Sequence, residues 1–361
     1  MTTLHWDFGS AYDFFISIFV IHHPERFGLR PAWAAGVRSR LSTEDREFLE
    51  QSLNFLPVPL VWIHNLPLQE KDIASILQEL EKIPPEKRLL ALLNPVQMND
   101  TVYETIEGIQ SNRKISNKDL DNLRVIFQYR SKPLKTKEIR KFAEVFLHSA
   151  EFGKRYLGVL QSYYQVFFQE EKERILPALE EGLKKAQLQS QSVSLPELLE
   201  QLSRGVTIEK AETFKTVTLV PSYWTSPLVF VNKPQPDELL VVFGCRDETQ
   251  SLVPGEYVPE SLVTGLKALA DPTRLRILHY LNHGATTPSS LAKRVRLRPP
   301  TVIHHLNILR LAGLVQVTIT SNGERRYNVR QDAVEETYKQ LRLVINPEMK
   351  EKKIVVKNGT F

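Results

Sequence analysis

A chain of 361 residues, 42% hydrophobic and 25% charged, has room for two or three domains and too much apolar content for wholesale disorder. Its one cysteine, Cys245, excludes an internal disulfide framework and any multi-cysteine zinc site, and it fits a reducing cytosol. The net charge of +5 is unevenly spread: residues 261–346 hold 13 Lys/Arg against 5 Asp/Glu, a net of +8, the tail 347–361 adds +2, and residues 1–260 are left at −5.

A weakly acidic large region followed by a basic small one is the electrostatic footprint expected for a nucleic-acid partner, although a solvated Lys/Arg face would give the same sum. No apolar run is long enough to span a membrane. The longest near the start, Phe14 to Ile21, is short and lacks a basic leader, so neither signal peptide nor anchor is expected.

In chain order, Ala11, Phe14, Phe15, Ile18, Phe19 and Ile21 crowd one broad face and predict a helix ending at His22-His23-Pro24. Adjacent histidines point to different sides of a helix and no third ligand follows at a recognisable spacing, so the pair reads as a helix end rather than a metal site. Further helices are expected at about 32–41, after the hydroxyl-rich start Ser42-Thr-Glu-Asp45, at Asp72–Ile83 and from Glu86. Residues 96–150 read as more helices, and Lys137–Ala186 as strongly helical. Tyr156, Tyr163, Tyr164, Phe167 and Phe168 in that stretch suit core packing or a ligand pocket. Gln187–Ser194 reads as a linker or exposed turn.

The pattern then changes. Thr216–Val220, Leu228–Val231 and Leu239–Phe243 are β-branched or aromatic runs bounded by turn residues, and they predict a small antiparallel sheet near 216–243 that closes the helical region. A linker at about 250–259 follows.

The basic region begins with a helix over about 260–270. Asp271-Pro272 supplies an N-cap and a proline at the first helical position, and the next helix is expected to bury Leu275, Leu278 and Leu281 before Gly284. Thr287-Pro288 repeats the device, with Leu291 and Val295 facing inward. From Arg298-Pro299-Pro300 a fourth helix carries Val302, Leu306 and Leu309 at i, i+4 and i+7.

Two short helices joined by a tight turn, then Gly313 and a hairpin, spell a winged helix-turn-helix. The hairpin is marked by Val315, Val317 and Ile319 before Ser321-Asn322-Gly323-Glu324, and by Tyr327 and Val329 after it.

At about 100° per residue, the side of the fourth helix opposite its apolar stripe carries Thr301, Ile303, His304 and Asn307. These are the candidate base readers. Asn pairs bidentately with adenine, His donates to acceptors, and Thr or Ile methyls touch the thymine methyl. Candidate phosphate and wing contacts are Ser289, Lys293, Arg294, Arg298, His305, Arg310, Arg325 and Arg326, which would make binding steeply salt-dependent.

The stretches Leu266-Lys-Ala-Leu-Ala-Asp-Pro-Thr-Arg-Leu-Arg-Ile-Leu278 and Thr301-Val-Ile-His-His-Leu-Asn-Ile-Leu-Arg-Leu-Ala-Gly-Leu-Val315 resemble the ArsR-type winged-helix transcriptional regulators over about residues 260–345. The resemblance implies a homodimeric repressor released from DNA when an effector or metal binds. Where the family usually has a serine, this chain has Ile303. The family's usual metal-site signatures are missing: no cysteine pair precedes the fourth helix, and Asp332–Leu343 carries no histidine. The N-terminal region resembles, through Arg30-Pro31-Ala-Trp33, Val220-Pro221-Ser222 and Leu239–Phe243, the large sensor-like domains fused ahead of this winged helix in some bacterial regulators.

The expectation is therefore a mainly α (α+β) protein with three parts. Residues 1–250 form a helical regulatory or dimerisation domain, 260–345 the winged helix, and 346–361 a basic tail. It acts as a cytoplasmic, nucleoid-associated regulator of double-stranded DNA, without cofactor or metal, as a homodimer responding to a small-molecule effector. The alternative is an enzyme or ligand-binding protein in residues 1–250 with the winged helix as a tether or protein-interaction module; no Gly-x-Gly-x-x-Gly, Walker loop, Gly-x-Ser-x-Gly or His-Glu-x-x-His lies there, which sets the enzyme behind the regulator reading.

Overall fold

A four-residue strand that the apolar pattern did not announce, β1 (Thr3–Trp6), runs through Asp7-Phe8-Gly9 into the first helix, α1 (Ser10–His22). The computed structural model describes residues 2–346 apart from 28, 30, 68, 70, 94–97, 128–132, 247–258 and 321–322. Most of the expected linker at 250–259, the Ser321-Asn322 step of the hairpin, Arg30 and the tail 347–361 thus lie outside the described residues.

α1 is buried on nearly every side, not on one face, and so serves as a central core helix. His22 and His23 end it, each placing Nδ1 on the carbonyl four residues earlier, at 2.7 Å for Ile18 and 3.0 Å for Phe19. α2 (Pro31–Arg38) and α3 (Thr43–Leu53) follow, and Ser42 caps α3 by accepting from the Asp45 N–H at 3.1 Å. Then come α4 (Leu60–Asn65), α5 (Ile73–Lys82, capped by Asp72), α6 (Pro85–Leu92), α7 (Asp100–Asn112) and α8 (Asn117–Leu123). α9 (Thr136–Leu147) and α10 (Ser149–Tyr163) continue the chain, and a π turn at Tyr164–Phe168 leads into α11 (Gln169–Gln189). Tyr156, Tyr163, Phe167 and Phe168 are buried and Tyr164 is half-buried, which makes this aromatic run mostly core.

After α12 (Leu195–Leu202) and the short β2 (Val206–Ile208) come β3 (Thr216–Ser222), β4 (Val229–Asn232) and β5 (Glu238–Gly244). The first sheet has the order β1-β3-β5-β4, and β5 inserts between β3 and β4. β1–β3 and β3–β5 are parallel and only β4–β5 is antiparallel, which corrects the expected antiparallel sheet. The reason lies in burial: β3 and β5 are buried almost without a break and so covered on both faces, the signature of parallel strands, not half-exposed alternating ones.

The basic region forms α13 (Glu260–Leu269), α14 (Pro272–Leu281), α15 (Pro288–Val295), α16 (Pro299–Leu311), β6 (Val315–Ile319), β7 (Arg325–Val329) and α17 (Gln331–Ile345). Its core is built on Ile277, Leu281, Leu291, Val302, Leu306 and Leu309, each fully buried and each contributing roughly 1.5–3 kcal/mol of apolar burial. Leu275, expected inside, is 50% exposed; Ile277 takes the inward place beside Leu278 and Leu281. The second sheet has the order β2-β6-β7, with β6–β7 an antiparallel hairpin and β2 parallel to β6.

The described residues divide into two compact units. The first takes those of 2–25, 29–183 and 213–245; the second takes those of 26–27, 184–212, 246 and 259–346. Residues 184–212 group with the winged helix, where β2 pairs with β6. Among the described residues no helix is long and apolar enough to cross a membrane.

Candidate nucleic-acid interface

The interface is built from two capped helices set by one tight turn. Asp271 opens α14 by accepting from the Arg274 N–H at 2.9 Å, with Pro272 at the first helical position. That N–H, more than any other influence, holds the Asp271 carboxyl below the usual range and keeps it a charged cap. Thr287 opens α15 by accepting from the Ser290 N–H at 3.3 Å. α15 ends at Arg296, whose φ of 56° is left-handed, and three residues later α16 begins at Pro299. A non-glycine in that conformation marks a turn fixed by its surroundings.

α16 separates two faces sharply. Val302, Leu306 and Leu309 are completely buried. Thr301, Ile303, His304 and Asn307 are all exposed, Ile303 by 43% despite its apolar side chain. All four candidate base readers therefore stand together on one accessible face. An isoleucine left in water on a helix with a well-filled core has no packing reason to be there.

The eight candidate phosphate and wing residues divide. Ser289, Lys293 and Arg294 are exposed on α15, and Arg298 is exposed at the entry to α16. Arg325 is exposed on β7. Arg326 is exposed too, but its Nε lies 3.3 Å from Glu324 Oε2, so a phosphate would compete with that carboxylate. His305 is half-buried, and its Nδ1 is buried without a hydrogen-bond partner. Burial pulls its pKa down, while Asp271 pushes it up and Arg274 and His304 pull it down further. Its ring is thus partly withdrawn from solvent. Arg310 is half-buried as well; burial lowers its pKa, with Tyr327 acting in the opposite sense and Arg325 adding to the lowering. Its guanidinium stays charged at any physiological pH but is withdrawn from solvent.

The residue that pattern reading passed over is Arg296, exposed and held in the turn between the two helices. Its only sequence signal was its position in the turn. The hairpin itself is an antiparallel pair from Val315↔Val329 to Ile319↔Arg325, and an isolated bridge joins Thr286 to Tyr327. Among the described residues no group of three or more His, Cys, Asp or Glu is arranged to hold a metal.

Residues 271–317 match the family described as bacterial regulatory protein, arsR family. Over 49 residues the chain is 41% identical to the transcriptional repressor SdpR of Bacillus subtilis (strain 168), a match covering 14% of this chain and 54% of that protein. Over 52 residues it is 48% identical to the HTH-type transcriptional regulator CmtR of Mycobacterium tuberculosis (strain ATCC 25618 / H37Rv), covering 14% and 44%. The chain spans about half the length of the curated relatives it matches. A solved structure, an ArsR-like transcriptional regulator from Rhodococcus sp. RHA1, is similar with 29% identity and a TM-score of 0.23, covering 27% of this chain and 90% of that one.

Proposed function

We propose that this chain, which carries an ArsR-family helix-turn-helix domain at residues 271–317, is a sequence-specific, double-stranded-DNA-binding transcriptional regulator and not an enzyme. The observation that carries the reading is the division of α16, with one face wholly buried and the other presenting Thr301, Ile303, His304 and Asn307 to solvent at the front of a +8 domain. In this reading those four side chains touch base edges, and Ser289, Lys293, Arg294, Arg296, Arg298 and Arg325 touch phosphates. Arg326 joins them when it leaves Glu324. His305 and Arg310 support the helix from behind.

The regulator acts as a homodimer. α17 supports this: none of its residues is fully buried in the single chain, and Tyr338, Val344 and Ile345 are 60%, 40% and 66% exposed. A two-fold dimer would set its recognition helices one DNA turn apart, about 34–36 Å, on a near-palindromic site. SdpR is named a transcriptional repressor, and repression is the sign of regulation we assign here. The signal is a small molecule, not a metal, and residues 1–250 receive it in the cytoplasm.

The test is selection of duplexes from a randomised pool, then anisotropy titration of the selected site and a scrambled control over a salt series. Preference for the selected site by about a thousandfold or more is expected. Equal affinity for both duplexes removes the sequence-specific reading.

A further inference from the structure

The wing's third strand comes from more than a hundred residues upstream. β2 lies in parallel register with β6, Val206↔Val317 to Ile208↔Ile319. The Val317 N–H donates to the Gly205 carbonyl at 2.8 Å and the Glu209 N–H to the Ile319 carbonyl at 3.1 Å. A parallel ladder uses alternate residues, so Thr207, between them, turns its backbone groups to β6 as well.

Side chains pin the same seam. Gln316 Nε2 donates to Glu200 Oε1 at 2.7 Å and to Thr207 Oγ1 at 2.9 Å, and the Thr207 hydroxyl donates on to Glu200 Oε2 at 3.3 Å. At the root of the hairpin, Arg330 donates from Nη1 to the Arg204 carbonyl at 3.0 Å, and its own N–H donates to the Leu314 carbonyl at 3.0 Å. Gly205 sits at that corner with φ +97°, and a Cβ there would lie 2.7 Å from Arg330 Cδ. The left-handed backbone there favours glycine, and a Cβ would have to displace the Arg330 side chain.

A two-stranded hairpin alone is marginal and free to twist, whereas a third strand fixes its tilt and its root. We propose that α12 and β2 form a strap that positions the wing, setting the direction in which Arg325 and Arg326 meet DNA. The proposal rests on the DNA-binding reading and supplies its control. The chain passes from residues of the first unit into the strap within α11 and the turn after it, so a signal received upstream reaches the wing through 184–208 while α16 stays as it is. Attached, the strap holds the wing against the phosphates; released, it leaves recognition to α16 alone.

The test uses the full chain with Thr207→Pro, which removes the mid-strand donor, and the milder Gln316→Ala, which cuts the side-chain pins and keeps the ladder. Each is measured alone and combined with Arg325→Ala/Arg326→Ala, by binding to a selected duplex over a salt series and by amide hydrogen exchange. Release is expected to weaken binding about tenfold and to lower the log–log salt slope by about 0.9 for each wing arginine that leaves its phosphate. It should do nothing further once both arginines are gone. Exchange should quicken in β6 and β7 and stay unchanged in α14 and α16. Full additivity of strap and arginine substitutions overturns the proposal. So does unchanged exchange in β6 and β7, which decides the matter even if the unaltered chain binds no duplex. That last result would sink the DNA-binding reading and leave the exchange data to judge the strap.

Discussion

Asp13 and Ser222 stand 209 positions apart in the sequence and meet through a 2.7 Å hydrogen bond, the Ser222 hydroxyl donating to Asp13 Oδ1 with both residues buried. The same carboxyl accepts from the Trp224 N–H at 2.8 Å and the Tyr223 N–H at 3.2 Å, so one side chain of α1 gathers the turn that ends β3. Burial nevertheless outweighs those bonds and, with Glu171 adding a little, pushes Asp13 from 3.8 up to about 7. Protonation at this carboxyl is therefore coupled to the fold of the first unit.

That coupling has a definite sign. Asp13 binds its proton more tightly folded than unfolded, so between pH 3.8 and about 7 stability falls as pH rises. His22, further along α1, does the reverse. Burial pulls it from 6.5 down to about 4, the unfolded chain holds the extra proton, and stability falls as pH drops through that window. From pH 4 to 6.5 the two slopes oppose. Urea midpoints of the unaltered chain are expected to be nearly flat there. Asp13→Asn should leave a rise with pH and His22→Gln a fall, each at most about 1.4 kcal/mol per pH unit. Two variants with the same slope would show the assignment to be wrong.

Asn307→Ala and Arg325→Ala should fail in different ways. The first is expected to cost about 1–3 kcal/mol at one base-pair position and to relax preference there. The second should weaken binding to every duplex alike and reduce the salt slope by about 0.9. Anisotropy titrations against single-position variants of a selected site separate the two. Identical behaviour would merge two roles that the proposed reading keeps apart.

Ile303→Ser replaces an exposed methyl-bearing side chain by a hydroxyl. The salt slope should hold, because no charge is lost, while preference for thymine at the facing position should drop by about tenfold. A repeated selection with the variant reads this directly, and an unchanged selected sequence would remove Ile303 from the base-reading set.

Leu306 is completely buried on the inner face of α16. Leu306→Ala should destabilise the second unit by about 2–5 kcal/mol and abolish DNA binding through loss of the frame. Calorimetry should show the loss as a lowered transition of the second unit, with the first unit's transition unmoved.

Much of the winged helix was readable in the sequence because its signals are local. Asp271-Pro272 and Thr287-Pro288 cap their helices by chemistry confined to a few residues, and Val302, Leu306 and Leu309 repeat within two helical turns. What escaped is what depends on partners elsewhere. β2 is three residues long and finds its partner only after 109 positions of chain, as the Thr207–Gln316 bond shows. β3 and β5 read as strands, but their direction depends on being covered on both faces, which a run of apolar residues suggests only once the covering helices are known. Arg310 lies at the border between the two faces of α16, where periodicity alone cannot say whether a long side chain turns to solvent or to the wing. Leu275 has the right spacing from Leu278 and still points outward, because Ile277 fills the inner place.

With β2 on one side and β7 on the other, β6 has no free edge. A shortened chain beginning at residue 260 would lose that cover and bare a row of amides and carbonyls along Val315, Val317 and Ile319, the kind of edge that recruits another copy. Such a fragment is expected to self-associate as its concentration rises, measurable by light scattering, while a version in which 184–212 is supplied should stay dispersed. On that outcome the upstream segment would act as a chaperone built into the same molecule, shielding the wing from illegitimate pairing.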